Sequence, residues 1–338
     1  MAAIILYAFP EEHFGDRPSR DGAKSAIRFS AALPFRAKIV RMPGTIGLFL
    51  RSNDNDYQQR LKDVGLREAK RHGYEIIVES ALNDGNRQVE QIRAAIKNAK
   101  TTAMIAIVVS TVRDEVLPPL VREAAEAGID WALLNEGDYI DEISAQFPDR
   151  AIFAATPDQI GIGRIHGKQV RALAGDSKTV LCVTGPMSAA TARLRWEGLS
   201  EELGEDFKII QLNADWTSER ARMEVERWAR VLPSDIALPG MFVAHNDEMA
   251  LGMRQALRDV ASQRDLPFGN AYITGCDGSQ TFGQRLVREG RLKATVIMPP
   301  TSGAAIEWIE RFRTRKERPA ARQIQPVASF PALPTLKR

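Results

Sequence analysis

The sequence predicts an α/β fold with two parallel β-sheets, each flanked by helices. From Thr45 onward, short runs rich in Val and Ile alternate with amphipathic helical segments. The runs lack the alternation of apolar and polar residues that a half-exposed strand shows, so they are typical of strands buried on both faces of a parallel sheet. About ten such runs are more than one open sheet holds comfortably, which favours two sheets of about five strands each.

The predicted strands follow one another at regular intervals. In order, they are TIGLFL, YEIIVES, AMIAIVVS, WALLN, AIFAAT, TVLCVTG, KIIQLNA, GMFVAH, AYITGCD and KATVIM. Repeated strand–helix–strand units imply right-handed crossover connections. The alternation of strands and helices is interrupted after QFPDR, residues 146–150, and this point is the predicted boundary between the two sheets.

The helical segments between these runs show one apolar face each. DYQQRLKDVGLREAKRHG places Leu61 and Val64 on one face and ends at Gly73, a usual residue after a helix C-terminus. In NRQVEQIRAAIKNAK and SERARMEVERWARVLP, one apolar stripe runs along an otherwise charged surface. These segments therefore predict helices that pack against the sheets.

Composition and charge argue against several classes of protein. Apolar residues make up 44% and charged residues 26% of the chain, close to the average of soluble globular proteins. The formal charge of +3 is spread over interspersed acids and bases, so we expect no nucleic-acid partner. No run approaches the ~18 apolar residues of a membrane span. Cys182 and Cys276 lie in apolar runs and predict buried thiols.

Motifs for catalysis, cofactors and metals are weak. GIGRIHGK, residues 161–168, has neither the spacing of a Walker A loop nor the third glycine of GxGxxG. A helix whose small residues permit close packing is the better interpretation. The histidines lie far apart, and neither HExxH, paired CxxC nor GxSxG occurs. We therefore expect no catalytic residue, cofactor or metal, although an enzyme on an α/β scaffold remains a further hypothesis.

Polar residues follow the ends of most predicted strands. In open parallel sheets, ligands bind beyond the carboxyl ends of the strands, so these residues should gather along one rim. They are Arg51 to Tyr57, Ser110, Thr111, Asn135, Glu136, Pro157, Asp158, Gly185 to Arg195, Asn213 to Trp216, His245 to Asp247, Asp277 and Met298. Such a set of amides, carboxylates, arginines and aromatic rings suits a site for a small polyhydroxylated ligand.

Several ordered blocks resemble type I periplasmic sugar-binding proteins of the ribose-binding group, which share their fold with the effector domain of LacI-type repressors. The most specific block is FVAHNDEMALG, which is followed by AYITGCDG and KATVIMPP. RLRWEGL is similar to the segment that carries the family's ligand-binding arginine, and IGLFLRSNDNDYQQRL is similar to the first strand and its binding loop. TPDQIGIGRIHG resembles the entry to the second lobe. The likeness covers residues 44–338.

The resemblance implies two Rossmann-like lobes that are joined by a hinge of three crossing strands. The lobes are expected to close around a ligand by a hinge motion. It assigns residues 44–154 and 299–325 to the N-terminal lobe. It assigns residues 155–298 and 326–338 to the C-terminal lobe. Residues 1–43 are expected to be an extension or linker.

The resemblance also implies a set of ligand-binding residues. The expected set is Asn55, Tyr57, Asn135, Glu136, Arg195, Trp216, Asn246, Asp277 and Met298. Arginine, carboxylate and amide groups make strong hydrogen bonds to the hydroxyl groups at the edge of a sugar. The rings of Tyr57 and Trp216 can cover its C–H faces. The alternatives are lobe packing for Trp216 and a surface salt bridge for Arg195.

The FVAHNDEMALG block is expected to divide its polar residues between two roles. FVAH ends a buried strand and EMALG begins a helix, so neighbouring side chains point in different directions. Asn246 is expected to contact the ligand. Asp247 and Glu248 are expected to act structurally, because the first turn of a helix favours negative charge. His245 is expected to pack at the strand end.

Three residues depart from the ribose-binding pattern. Glu136 stands where the family has an arginine, Met298 stands where it has a glutamine, and Gln58 replaces a second aromatic residue of the first loop. A carboxylate in place of a cation should repel acidic sugars. The hypothesis is a neutral or amino-bearing ligand, and a polyol that is not a sugar stays open.

The leading functional hypothesis is a solute-binding protein that delivers a small carbohydrate or polyol to an ABC importer. The alternative is an effector-sensing domain that serves a chemoreceptor, a kinase or a LacI-like regulator. The implied partners are the sugar or polyol and an ABC permease or sensory receptor, and a monomer is expected. The resemblance implies a periplasmic location. Because MAAIILYAFPEEHF lacks the basic start of a signal peptide, a cytoplasmic location stays open.

Overall fold

The computed structural model describes residues 44–134, 137–232, 238–264, 266 and 268–337. Within them the predicted α/β class is confirmed, because two six-stranded sheets are flanked by helices. The extension expected at residues 1–43 lies outside the described residues. Among the described helices, none has both the length and the apolar composition needed to cross a bilayer.

The first sheet is entirely parallel and has the strand order β11-β5-β4-β3-β1-β2. Its strands are β1 (Thr45–Leu50), β2 (Glu75–Ser80), β3 (Met104–Val109), β4 (Asp130–Leu133), β5 (Ile152–Pro157) and β11 (Arg322–Gln325). The central strands β1, β4 and β5 are buried at every residue, as the unbroken apolar runs predicted.

The second sheet has the order β12-β10-β9-β8-β6-β7 and is parallel except at its edge. Its strands are β6 (Thr179–Thr184), β7 (Lys208–Asn213), β8 (Met241–Ala244), β9 (Ile273–Asp277), β10 (Ala294–Ile297) and β12 (Ala328–Phe330). Strand β12 pairs with β10 in the antiparallel direction.

Strands β11 and β12 were not predicted from the sequence. Their segments, RQIQ and ASF, lie at sheet edges and contain only half-buried and exposed residues. An edge strand that is not covered on both faces needs no apolar run, so the pattern that identifies the inner strands is absent. The expectation of about five strands per sheet was therefore one strand too low for each sheet.

Helices cover both faces of the first sheet. They are α1 (Asp56–His72), α2 (Gly85–Lys97), α3 (Ala99–Thr102), α4 (Leu117–Glu126), α5 (Ile140–Gln146) and α11 (Ser302–Arg315). Helix α1 begins where the side chain of Asn55 accepts a hydrogen bond from the backbone N–H of Gln58, and it ends at Gly73, whose φ is 74°. Leu61 of this helix is fully buried in the core beside α11. We call this sheet with its helices the first lobe.

Helices also flank the second sheet, and together they form the second lobe. They are α6 (Gln159–Leu173), α7 (Ala190–Leu203), α8 (Ser218–Arg230), α9 (Asp247–Arg264) and α10 (Gly283–Arg288). The GIGRIHGK segment lies in α6, as predicted for a closely packed helix. A Cβ atom on Gly163 would come 2.1 Å from the carbonyl oxygen of Arg195, and one on Gly198 would come 2.1 Å from that of Ile160. Helices α6 and α7 can therefore approach this closely only because both positions are glycine.

The chain passes three times between the lobes, after β5, after β10 and after β11. The first and third crossings are joined, because the backbone N–H of Asp158 donates to the carbonyl oxygen of Gln325 over 2.9 Å. The crossings lie beside the lobe boundaries expected from the sequence, which stay a prediction. Cys182 and Cys276 are buried and form no disulfide, as predicted.

Candidate functional site

A cavity of about 90 Å³ lies between the lobes, at the carboxyl ends of both sheets. One buried water needs about 10–15 Å³ when volume is measured as the space open to water centres, so this cavity accommodates roughly six to nine waters. The lining residues are Arg51, Asn55, Tyr57, Gln58, Thr111, Val112, Asp114, Leu134, Gln159, Ala189, Thr191, Arg195, Trp216, Asn246, Asp277 and Met298.

The structure brings together most of the side chains expected at the ligand site. Those that line the cavity are Asn55, Tyr57, Arg195, Trp216, Asn246, Asp277 and Met298. The other two, Asn135 and Glu136, lie outside the described residues. These side chains converge because each belongs to a segment that follows the carboxyl end of a strand or begins the next helix.

Arg195 is held at the centre of the cavity wall by three hydrogen bonds. Its Nε donates to Oε1 of Gln159 over 2.8 Å, and its Nη2 donates to Sδ of Met298 over 3.1 Å. Its Nη1 donates to the carbonyl oxygen of His245. The residue is only 3% exposed, so the surface salt bridge considered for it is wrong. A guanidinium has five N–H groups, so two remain for a ligand.

Trp216 presents its ring to the cavity beside Arg195. The guanidinium carbon of Arg195 lies 5.5 Å from the ring centre. The backbone of Trp216 has a φ of 77°, and Nδ2 of Asn246 donates to its carbonyl oxygen over 2.9 Å. A Cβ on Gly185 would come 2.2 Å from Cζ2 of the ring, so the ring position depends on that glycine. Among the described residues, Nε1 of Trp216 is buried without a hydrogen-bond partner.

Asn246 caps helix α9 as well as lining the cavity. Its Oδ1 accepts a hydrogen bond from the backbone N–H of Met249 over 2.7 Å, which is the geometry of an N-cap residue. Its amide nitrogen donates to the Trp216 carbonyl. One amide N–H therefore remains for a ligand, and the residue positions the Trp216 loop at the same time.

Asp247 anchors the loop after β9 from below the cavity. Its carboxylate accepts from the backbone N–H of Gly278 over 2.8 Å and from Oγ1 of Thr295 over 2.7 Å. Burial raises the pKa of Asp247 to about 7, although these two hydrogen bonds oppose the shift. This acid is fully buried and acts on the positions of β9 and β10, in keeping with the structural role expected for it.

Asp277 directs a buried carboxyl group at the cavity. The residue is 6% exposed and its backbone has a φ of 97°. Among the described residues, no hydrogen-bond partner of its side chain is found. Burial, reinforced by the charge of Asp247, raises the pKa of Asp277 well above its usual value, while Arg195 and Arg60 lower it. Asp277 is therefore the acidic group of the wall that most needs a donor from the ligand.

The first lobe supplies the opposite wall. Asn55 caps α1, and the hydroxyl group of Tyr57 donates to the carbonyl oxygen of Pro299 over 3.5 Å. Burial raises the pKa of this hydroxyl group, so Tyr57 stays neutral. Nε2 of Gln58 donates to Oγ of Ser110 over 3.0 Å, whereas its Oε1 is buried and finds no partner among the described residues.

Contacts across the cleft join the lobes next to the cavity. Arg60 of α1 donates to the carbonyl oxygens of Asp277 and Met298 over 3.1 and 3.2 Å. The backbone N–H of Asp56 donates to Oε1 of Glu248 over 3.3 Å. All three hydrogen bonds form between protein groups alone.

His245 contributes a neutral ring behind the cavity. Its Nδ1 accepts a hydrogen bond from the backbone N–H of Gly185 over 3.4 Å, and its ring centre lies 6.2 Å from that of Trp216. Burial, and then the charge of Arg195, lowers the pKa of His245 well below its usual value. The imidazole is therefore uncharged at neutral pH and packs at the strand end, as the sequence indicated.

Sequence reasoning missed several lining residues, of which Gln159 matters most. Its side chain positions Arg195, but it is the first residue of α6 and lies just beyond Pro157 and Asp158, where the expected rim segment ended. Arg51, Thr111 and Thr191 lie within the expected rim segments but were not among the ligand-binding residues expected from the sequence. Asp114 lies in a short turn beyond β3 that the pattern did not resolve.

One group of side chains among the described residues has the geometry of a metal site. Glu68, His72 and Glu307 place one possible ligand atom each within 4.8 Å of the others. Arg71 pairs with both acids and donates to Glu307 over 2.6 Å, so a cation already compensates these carboxylates. His72 lies about 22 Å along α1 from Tyr57, so the group takes no part in the cavity.

The known proteins that resemble this chain include several that are named for binding a sugar. The chain is 24% identical over 282 residues to the ribose import binding protein RbsB of Salmonella typhimurium, covering 82% of this chain and 85% of that protein. The crystal structure of a galactofuranose binding protein has a TM-score of 0.73 at 20% identity and covers 85% and 94% of the two chains. The fructose binding periplasmic domain of a hybrid two-component system has a TM-score of 0.69 at 21% identity, covering 85% and 90%.

The family itself follows from a model that covers most of the chain. The model describes a periplasmic binding protein domain and matches residues 46–306, which include every lining residue of the cavity. The resemblance predicted from the sequence blocks is thus confirmed, and the chain belongs to the periplasmic binding protein domain family.

Proposed function

We propose that this protein captures a small carbohydrate or polyol between its lobes and delivers it to the permease of an ABC importer. It acts in the periplasm as a binding protein and catalyses no reaction on its ligand. The ligand touches both lobes and thereby stabilises the closed arrangement over the open one. The closed lobes then present a combined surface to the permease.

The observation that carries this proposal is the cavity that both lobes build. Tyr57 and Gln58 come from the first lobe, whereas Arg195, Trp216 and Asp277 come from the second. A ligand in this position contacts both lobes at once, which is what a closing binding protein requires. The cavity volume of about 90 Å³ suits one small ring.

The polar groups of the wall match a polyhydroxylated ligand. Arg195 has two remaining N–H donors and Trp216 has an unpartnered Nε1, while Oε1 of Gln58 and the carboxyl group of Asp277 can accept. A hydroxyl group both donates and accepts, so one sugar or polyol can satisfy both kinds of group. The two aromatic rings cover apolar faces of the ligand.

A thermal-shift screen against sugars and polyols tests the proposal. A ligand that binds only the folded protein raises its stability by about 2.7 kcal/mol at a hundred times its dissociation constant, which raises the unfolding midpoint. We expect Arg195→Ala and Asp277→Ala to abolish the shift. Arg193→Ala is the matched control, because Arg193 lies on the same helix but donates to the carbonyls of Met187 and Ser188. If both cavity variants respond like the wild type, the assigned site is wrong.

A sensory role is the second candidate, and the fructose binding domain of a hybrid two-component system favours it. Binding in the same cavity would then alter a receptor or kinase. A bacterial strain from which the gene for this protein has been deleted distinguishes the two roles. Loss of uptake of the labelled ligand supports import, whereas normal uptake with loss of ligand-dependent gene expression supports sensing.

A further inference from the structure

A second cavity, of about 260 Å³, adjoins the first. The two cavities share Arg51, Asn55 and Trp216 as lining residues. The second cavity is bounded by the loop after β1 in the first lobe and by the start of α8 in the second lobe. The side chains of both cavities therefore set the charge that a ligand meets in the cleft.

The walls of these two cavities are rich in acid. Six carboxyl groups face two guanidinium groups of the walls, those of Arg51 and Arg195, and a third guanidinium group, of Arg60, lies next to Asp277. Among the described residues the acids therefore outnumber the bases by at least two, even when burial keeps Asp277 protonated. The acids are Asp54, Asp114, Asp215, Glu219, Glu248 and Asp277. The chain as a whole has a formal charge of +3, so the acid excess belongs to the cleft and not to the surface in general. A cleft with walls of one sign concentrates ligands of the opposite sign.

The arginines of the cleft use their donors mainly on neutral acceptors. Arg195 donates to an amide oxygen, a carbonyl oxygen and a thioether. Nε of Arg51 donates to Oδ1 of Asn83 over 3.0 Å, and Arg60 donates to two backbone carbonyls. Within the described part of the chain, none of the three forms a salt bridge with an acid of the two cavities.

The side chain of Asp277 has no hydrogen-bond donor from any of these arginines. Its side chain lines the ligand cavity, is more than nine-tenths buried and finds no hydrogen bond among the described residues. Asp247, a second buried acid, lies behind it and adds to the negative potential. A donor with a positive charge offsets the cost of burying an ionised carboxylate better than a hydroxyl group does, since charge-assisted hydrogen bonds are roughly twice as strong as neutral ones.

We propose that the cleft selects a polyhydroxylated ligand that carries a protonated amino group, and that Asp277 accepts a hydrogen bond from this ammonium group. This inference rests on the proposed function, because it names the class of ligand for the same cavity. Asp277 is the residue that makes the site prefer a positively charged ligand to a neutral one. A ligand with a carboxylate in place of the amine is excluded by the acids of both cavities.

Calorimetric titration at pH 7 with matched ligand triplets tests the inference. The probes are glucose, glucosamine and glucuronate, then galactose, galactosamine and galacturonate, and finally inositol with an aminodeoxyinositol. We expect the amine to bind about tenfold more tightly than its neutral parent in at least one set, and the acid to bind most weakly. We expect Asp277→Asn to reduce the preference for the amine to about twofold or less.

Two further measurements complete the experiment. Asp176→Asn removes one exposed acid outside both cavities and should leave the preference for the amine unchanged. Thermal unfolding without ligand shows that both variants fold. Calcium chloride alone should produce no heat of binding and no thermal shift.

The outcomes separate the inference from the proposed function. A neutral parent that binds as tightly as its amine, or more tightly, overturns the amine preference and leaves sugar or polyol binding intact. An amine preference that survives Asp277→Asn overturns the role of Asp277. Tight binding of calcium alone overturns the inference by assigning the acids to a metal ion. Failure of every sugar, polyol and amine to bind contradicts both proposals.

Discussion

Gly185→Ala should weaken ligand binding although Gly185 does not line the ligand cavity. A Cβ at this position would come 2.2 Å from Cζ2 of the Trp216 ring. Ordinary van der Waals contacts of a Cβ begin at 3.4 Å, so the ring must retreat by about 1.2 Å. The indole then leaves the position from which it packs on a bound ring, while the strand that precedes Gly185 can keep its place.

The size of the effect follows from the contact that is lost. A pair of aromatic rings contributes about 0.5–1.5 kcal/mol beyond the area that it buries, and we assume a contribution of the same order for the indole packed on a sugar ring. Loss of this contribution corresponds to a fall in affinity of about two- to twelve-fold. Calorimetric titration with the tightest ligand of the panel measures the change. Gly269→Ala is the control, because a Cβ there meets no atom within 4 Å and no positive φ opposes it.

A double-mutant cycle shows whether the ring transmits the effect. If Gly185→Ala acts only by displacing Trp216, it should cause no further loss in a Trp216→Ala background. Losses of affinity that add in the double variant would refute the steric argument. So would an unchanged affinity in Gly185→Ala alone.

Three further predictions concern stability, and urea unfolding measures each. Gly163→Ala should destabilise the protein by about 1–3 kcal/mol, because its Cβ would come 2.1 Å from the carbonyl oxygen of Arg195; a loss no larger than that of Gly269→Ala would contradict the close helix contact. Because burial raises the pKa of Asp247 to about 7, the unfolded chain releases this proton at a lower pH than the folded chain does. The contribution of Asp247 to the free energy of unfolding should therefore fall as pH rises from about 4 to about 7 and level off above it, so the stability of the wild type relative to Asp247→Asn should fall over this range; a difference between the two proteins that does not change with pH would argue against this assignment. Asn246→Ala should cost about 1 kcal/mol through loss of the α9 cap, whereas Asn246→Asp should keep the cap; equal losses in the two variants would show that the cap contributes little.

The inner strands could be predicted because burial on both faces leaves an unbroken apolar run, as in β1 and β5. The edge strands β11 and β12 could not, since half-exposed segments carry no such run. The rim of the cleft followed from strand ends alone. Its finer organisation did not, because the bond from Arg195 to Gln159 and the contact of Gly185 with Trp216 depend on which helices and loops meet in space.

The hydrogen bonds that Arg60 and Glu248 make across the cleft have a consequence for measured affinities. Because they join protein groups of the two lobes directly, they stabilise the closed arrangement and so raise the fraction of molecules that have the binding-competent shape. The apparent dissociation constant equals the intrinsic constant divided by that fraction. Replacing Arg60 would therefore weaken capture of all neutral ligands by the same factor and leave the ranking among them unchanged. The affinity for neutral ligands and the choice among them are in this way controlled by different residues and can be engineered separately.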